Sequence, residues 1–498
     1  MNLINRLHDD GAFLRKALYL ALALGLLVRL WNISAPIADR HSWNQVSTAT
    51  VIRHFAEDGI DPLHPQWDVL EGSDTDPRIE AEEAPLYHIV AALGTRLLGS
   101  LEILARLLSI LGSLLGAVFL FRLTRRLADG PAALFAVCFY LFAPFSWFFG
   151  RAIMSDAWML AAMIAAVERF EAWTESGRFG VLLQAAVAVA LAGLFKPFAL
   201  HVGVALLLLQ INRRGLRSLI DWRLVVFVVV SLVPPLAWVW WAAQIGTLGN
   251  VVDSGQSMLT AEHLWGPLSL LWSPRFWFKI QARIFDQAAT PIVTALALLA
   301  LVGAFRRCRV ALFWLAGFLV YLLLVRDGNQ MHNYYQLPVV PPLALLAGIG
   351  LSLLSQMTRQ RWIALVLVGF VVVAGLYVRT SFELDLSSQK AGELVGQFSQ
   401  PGELIVVLDP GATRKNQAIY AAHRRGWHLR AVHEGQVEKH RDWGARWLVT
   451  CLEDSQIAKH PEWIERLATW PKIKEIRGDF GRRGKPHTIA IYDLSATP

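Results

Sequence analysis

Residues 131–197 read PAALFAVCFYLFAPFSWFFGRAIMSDAWMLAAMIAAVERFEAWTESGRFGVLLQAAVAVALAGLFKP. Three apolar runs, 131–148, 156–172 and 179–195, follow one another with short polar breaks between them. The first break carries Arg151 and Asp156, the second Glu175 and Arg178, and Lys196 closes the third run. Apolar runs of about 16–24 residues suit helices that cross a hydrocarbon layer about 30 Å thick. A chain that repeats such runs with charge confined to the turns reads as a polytopic membrane body.

The same pattern extends outward in both directions. It predicts about eleven spans, at 14–32, 101–124, 131–148, 156–172, 179–195, 197–212, 223–243, 288–305, 309–325, 337–355 and 362–378. Of the 498 residues, 55% are hydrophobic and 17% charged, against roughly 25% charged in soluble domains. Soluble composition returns near 380. The expected fold class is therefore a multi-pass α-helical membrane body, 1–379, followed by a C-terminal soluble α/β domain, 380–498.

Charge assigns the sides. Arg6, Arg15 and Lys16, then Arg122, Arg125 and Arg126, then Arg169 and Arg178 fall on alternate connections. Arg213, Arg214 and Arg217, then Arg306, Arg307 and Arg309, then Arg359 and Arg361 continue the series. Short basic connections mark the cytoplasm, so the N-terminus is expected there and the C-terminal domain on the periplasmic face. The formal charge of +8 is explained by these arginines and implies no nucleic-acid partner. The parity also requires that Pro85–Leu98, an apolar run too short to span, lie in or on the membrane within a large external loop, 33–100. Residues 43–57 read as a second surface helix. The first apolar run lacks a small-residue cleavage site and reads as an uncleaved span.

In the soluble part, Leu404–Leu408, Trp447–Cys451 and Thr488–Tyr492 read as strands, and Gln389–Phe398, Lys415–His423 and Pro461–Thr469 as helices. Cys138, Cys308 and Cys451 form no disulfide or metal pattern.

Several charged residues fall on the external side of the body. Asp39, just past the first span, is placed either as a general base facing a lipid-borne substrate or as a solvated loop acid beside Arg40. Asp156 enters a span, where acids are costly and mark function, or caps the helix together with Ser155. Lys196 offers a compact cation to a phosphate oxygen, or snorkels to the headgroups. Arg275, flanked by Phe276 and Trp277, either grips phosphate or sits in an interfacial aromatic belt. Tyr335 in His332-Asn333-Tyr334-Tyr335-Gln336-Leu337-Pro338 is an interfacial anchor or part of a polar site. Glu82 and Glu83 could join His263 around a divalent metal, or form a wet loop edge.

With these residues in order, the chain resembles the polytopic GT-C glycosyltransferases, in the branch of protein O-mannosyltransferases and lipid A aminoarabinose transferases. An acid follows the first span (Asp39), and Ala84-Pro85-Leu86-Tyr87-His88 is similar to the family's Pro-Pro-Leu-Tyr-Tyr segment. Arg106 to Arg126 is similar to its Arg-ended second span, and Gly150-Arg151 through Asp156 to its second-loop acid motif. Phe195-Lys196-Pro197 is similar to its Thr-Lys-Gly turn, and Tyr335-Gln336-Leu337-Pro338 to its Tyr-x-x-Pro entry. The resemblance covers about 14–378. It departs at Arg40, where the family often has a second acid, and at Glu83, where the aminoarabinose branch has Lys; the latter implies a different sugar or acceptor.

The resemblance implies sugar transfer from a polyprenyl-phosphate donor to a lipid, glycan or protein acceptor on the external face of a bacterial-type inner membrane, with inversion at the anomeric carbon and a divalent metal optional. It implies Asp39 and Asp156 as catalytic acids, and Lys196, Arg275 and Tyr335 at the donor phosphate. Two other classes fit the spans: a lipid-linked sugar flippase, and an O-antigen ligase or polymerase using a diphosphate-linked donor.

Overall fold

The computed structural model describes residues 3–245, 265–411 and 416–495. Seven helical stretches among them are long and apolar enough to cross a membrane: Gly11–Arg29, Leu101–Leu127, Trp222–Gln244, Pro274–Gly303, Phe305–Leu324, Asn333–Met357 and Gln360–Phe398. Leu86–Leu98, Gly130–Phe142 and Phe179–Phe195 are shorter apolar helices. Asp156–Ser176 has 21 residues, and carries Glu168, Arg169, Glu171 and Glu175 in its second half. The chain is a multi-pass α-helical membrane protein.

Contacts divide it into two compact units. The first holds Met1–Ile33, Ala81–Tyr87 and Ala105–Thr380; the second holds Ser34–Glu80, His88–Leu104 and Ser381–Pro498.

In the first unit, Asp156–Ser176 packs along Phe179–Phe195, and Val340–Met357 lies against both Gly130–Phe142 and Thr290–Gly303. Small residues permit that approach. A Cβ on Gly348 would lie 2.5 Å from the Ala132 carbonyl oxygen, and one on Gly350 2.0 Å from that of Leu296. Buried arginines fasten the end of the first helix. Arg151 donates to the Trp31 and Asn32 carbonyls at 2.6 and 3.0 Å, and Arg106 to that of Ile33 at 2.7 Å. Toward the C-terminal end of Asp156–Ser176, the fully buried Glu168 meets Arg169, Arg122 and Arg126, and the fully buried Glu171 meets Arg213.

The second unit is built on a five-stranded mixed sheet. Taking Gln66–Trp67 and Arg78–Ile79 as β1 and β2, its strands are β3 (Leu404–Leu408), β4 (Gly426–Leu429), β5 (Ala445–Glu453), β6 (Lys472–Gly478) and β7 (His487–Asp493). The order is β4-β3-β5-β7-β6, with β3 parallel to β4 and β5, and β7 antiparallel to β5 and β6. Helices and loops cover both faces, which is why β3 is apolar throughout rather than alternating. Ile405 and Val407 pack with Ala391, Val395 and Ile419 on one side, and Val406 and Leu408 with Trp427, Trp463 and Trp470 on the other. Part of the early loop completes the sheet: Leu70 N donates to Gly426 O at 2.8 Å and Gly426 N to Asp68 O at 3.1 Å, beside the edge strand β4.

Strand β3 has the expected bounds, and β5 and β7 extend theirs by one or two residues at each end. The helices expected at 389–398, 415–423 and 461–469 are Ser387–Phe398, Gln417–Ala422 and Pro461–Leu467, with Lys415 outside the described residues.

Candidate active site

Local sequence explains how three charges converge in the first unit. A residue before proline is held extended, and Lys196 before Pro197 has φ −152° and ψ 113°, ending the helix Phe179–Phe195. Ala84 N donates to Leu194 O at 3.0 Å. This pins the chain carrying Glu83 to the same helix end. Asp156 is the first residue of Asp156–Ser176, whose N-terminal end favours a negative charge.

Lys196 Nζ lies 2.9 Å from Glu83 Oε2 and 3.7 Å from Asp156 Oδ2. The two acids therefore share one cation. Ser155 is the residue before the helix, but it does not cap it: its hydroxyl donates to Glu83 Oε2 at 2.8 Å. The Asp156 side chain is completely buried, and neither carboxylate oxygen has a hydrogen-bond partner among the described residues. Lys196 does not reach outward to a headgroup layer on its own; it is held at 14% side-chain exposure by its acids.

Aromatic rings connect this turn to the 332–338 segment. Phe198, two residues after Lys196, stacks between Tyr321 and Tyr335 with centroids 5.3 and 4.9 Å away. His201 stacks on Tyr321 at 4.7 Å, and His332 on Tyr335 at 5.7 Å and Tyr334 at 5.3 Å. The Tyr334 phenol is close enough to Lys196, Asp156 and Glu82 to feel their charges. Tyr335 is thus tied to the lysine turn through Phe198. Sequence reading passed over Phe198, His201 and Tyr321, whose apolar surroundings give no signal of their partners.

The other expected residues stand apart from this cluster. Arg275 is exposed on Pro274–Arg283 and makes no hydrogen bond or ion pair among the described residues. His263 lies outside the described residues. Among the described residues no group of three or more His, Cys, Asp or Glu is arranged to hold a metal. Glu83 is engaged by Lys196 and Ser155, and Glu82 is half-buried beside it.

Asp39 belongs to the second unit. A tight turn presents it: Ser42 N donates to Asp39 O at 3.1 Å, and His41 takes the left-handed φ of 56°, a region His tolerates better than most residues. Asp39 is 6% exposed, and Gln45 Nε2 donates to its Oδ1 at 2.6 Å. Next to it, burial and then the charge of Arg482 hold the Arg40 guanidinium below its ordinary value.

Residues 82–238 match the family model described as dolichyl-phosphate-mannose-protein mannosyltransferase. Glu83, Asp156 and Lys196 all fall inside that match. No curated protein sequence matches the chain. Among solved structures, apo ArnT from Cupriavidus metallidurans is similar at TM-score 0.63 and 16% identity, over 96% of this chain and 98% of that one. ArnT from the same organism bound to undecaprenyl phosphate gives 0.61 at 16% identity, with the same coverage. The oligosaccharyltransferase AglB from Archaeoglobus fulgidus, in complex with an inhibitory peptide and a dolichol-phosphate, gives 0.60 at 13% identity, over 96% of this chain and 74% of that one. The chain thus shares the fold of the ArnT and AglB structures, and its segment 82–238, which carries the three converging charges, is similar to the dolichyl-phosphate-mannose-protein mannosyltransferase family.

Proposed function

We propose that the chain moves a sugar from a polyprenyl-phosphate donor of the undecaprenyl-phosphate type to a lipid, glycan or protein acceptor. The observation that carries this reading is Lys196 shared between Glu83 and Asp156, inside the segment that matches a lipid-phosphate-sugar transferase family. A lipid phosphate leaves as a stable anion, so the reaction needs positive charge at the phosphate more than a general acid. Lys196 supplies that charge when the phosphate displaces one carboxylate from its ammonium. Arg275 and Tyr335 would complete the phosphate contacts. Asp39 takes the proton from the acceptor hydroxyl as the oxygen attacks the anomeric carbon and the C–O bond to phosphate breaks, and Asp156 orients the sugar or acceptor. The Arg distribution puts this chemistry on the periplasmic side of a bacterial-type inner membrane, with the N-terminus cytoplasmic and residues 380–498 periplasmic.

The test is transfer from a panel of labelled donors, monophosphate- and diphosphate-linked, by the full-length protein in lipid nanodiscs. Monophosphate donors are expected to turn over. Asp39→Asn keeps the shape of the side chain and removes the proton acceptor, so single-turnover transfer should fall about 10²–10⁴-fold while undecaprenyl phosphate binding stays unchanged. Wild-type rates in Asp39→Asn would remove Asp39 from the mechanism; turnover confined to diphosphate donors would replace the donor class.

A further inference from the structure

Asp39, the base of the reading above, sits in a turn that other parts of the second unit hold by its backbone. Gln417 Nε2 donates to Ile37 O at 2.6 Å, and Asp385 N to Ala38 O at 2.8 Å. Arg40 N donates to Ser381 O at 3.1 Å, and Ser42 N to Asp39 O at 3.1 Å. These bonds fix the turn. They do not fix the carboxylate, which still rotates about its own side-chain bonds. A group that must meet an acceptor hydroxyl loses rate steeply when it is misplaced.

Gln45 reaches the carboxylate itself. It is the fourth residue of the helix Ser42–Glu57 and is 1% exposed, beside the fully buried Val46 and Ala49. Its Nε2 donates to Asp39 Oδ1 at 2.6 Å and to Arg40 O at 3.1 Å. An ionised carboxylate and a carbonyl only accept, so both contacts call for the NH2 end of the amide. One hydrogen goes to the acid and the other to the backbone of the next residue. The carboxylate is thereby tied to its own turn and to a packed helix at once. Side chains held by a rigid element keep a site more precise than a loop does, and an amide does so without adding charge.

We infer that Gln45 is a positioning residue for transfer: its amide locks the Asp39 side chain onto the helix Ser42–Glu57 and aligns the carboxylate for the acceptor hydroxyl. The inference rests on Asp39 being the base.

The test uses the full-length protein in lipid nanodiscs. The Asp39 carboxylate stretch is the infrared band lost in Asp39→Asn. It should shift in Gln45→Met, which keeps the length of the side chain and removes the donor, while undecaprenyl phosphate binding stays unchanged. If Gln45→Met fails to fold by gel filtration, Gln45→Glu keeps the shape and sets a second carboxyl against Oδ1. The two acids then share one proton, which must change the same band. With the donor that turns over in the panel above, Gln45→Met should lower single-turnover transfer about 10–100-fold. In the Asp39→Asn background it should lower transfer no further, whereas a glutamine that only supports the fold would weaken both backgrounds alike. An Asp39 band unmoved by either substitution, or equal losses in the two backgrounds, would overturn the assignment. A shifted band together with wild-type transfer in Asp39→Asn would keep the contact but overturn Asp39 as base, and the positioning role with it.

Discussion

The two ends of one helix, Asp156–Ser176, handle buried acid in opposite ways. Near its C-terminal end the fully buried Glu168 and Glu171 are met by Arg122, Arg126, Arg169 and Arg213. At its N-terminal end, about 18 Å away from Glu168 at 1.5 Å rise per residue, Asp156 and Glu83 share Lys196 alone. The first end has more cations than acids and nothing left to satisfy. The second has more acids than cations, and its lysine already divides itself between two carboxylates at different distances. Saturated charge suits a joint between helices. Divided charge suits a place where an incoming anion can exchange with a resident one.

Removing the shared cation should break the comparison most severely. Lys196→Met leaves two acids without a cation, which costs about 3–5 kcal/mol for a buried pair; chemical denaturation in detergent measures it. Undecaprenyl phosphate binding should weaken roughly 10–100-fold, the worth of one charge-assisted hydrogen bond of about 1.5–3 kcal/mol. Unchanged binding in a folded Lys196→Met protein would make the lysine structural. At the other end, Glu171→Gln should cost about 1–2 kcal/mol and leave binding and transfer alone, since the half-exposed Arg213 can turn to water. A large loss of transfer there would erase the distinction between the ends. Glu83→Gln acts more gently. It keeps an acceptor for Ser155 and releases Lys196 from one competitor, so undecaprenyl phosphate affinity should rise about 2–5-fold, the scale of a weak ion pair. Weaker binding by isothermal titration would instead assign Glu83 to the ligand side.

The second unit offers the mirror image, one acid shared by two cations. Asp68 takes Arg53 through one oxygen and His54 Nε2 at 2.8 Å through the other, while His54 Nδ1 meets Asp58 at 2.7 Å. Burial alone lowers the His54 imidazole, but the hydrogen bonds and charges of Asp68 and Asp58 outweigh it and leave it above its ordinary value. A raised folded value means the contribution to stability is complete below about pH 6.5 and is lost as pH rises through the folded value. Amide exchange in Ser42–Glu57 should accelerate modestly across that window, and His54→Gln should flatten the response. A response of the opposite sign would show that burial wins over the two acids.

Much of this architecture is legible in one dimension. Apolar runs show themselves by length, and Asp156 and Lys196 stand out because a charge inside such a run is expensive. Strands β3, β5 and β7 are apolar enough to read directly. Strand β4 has four residues and contains His428, and β6, Lys-Ile-Lys-Glu-Ile-Arg-Gly, is a largely exposed edge strand with charge at Lys472, Lys474, Glu475 and Arg477; edges are protected by such charge, which also hides them from a hydrophobic reading. The pairing of Glu83 with Lys196 is invisible for a different reason. It depends on Ala84 meeting the end of a helix more than a hundred residues later, and no local pattern encodes that. Glu83 therefore reads as a metal candidate, a wet loop edge or a departure from the family's Lys, with no sign of its lysine partner.

The strand-like segment 68–70 has a history that the finished sheet conceals. Its partner Gly426 is synthesised some 350 residues later; the neighbouring pair Gly72 and Trp427 are 355 residues apart. At about 5–20 residues per second, the early segment is translated roughly 20–70 s before anything can close over it. Its backbone groups spend that interval without the strand that later pairs with them. A ribosome that stalls beyond the last span would deliver a chain whose helices can insert but whose first loop never finds its mate, and quality-control proteases would meet that loop first.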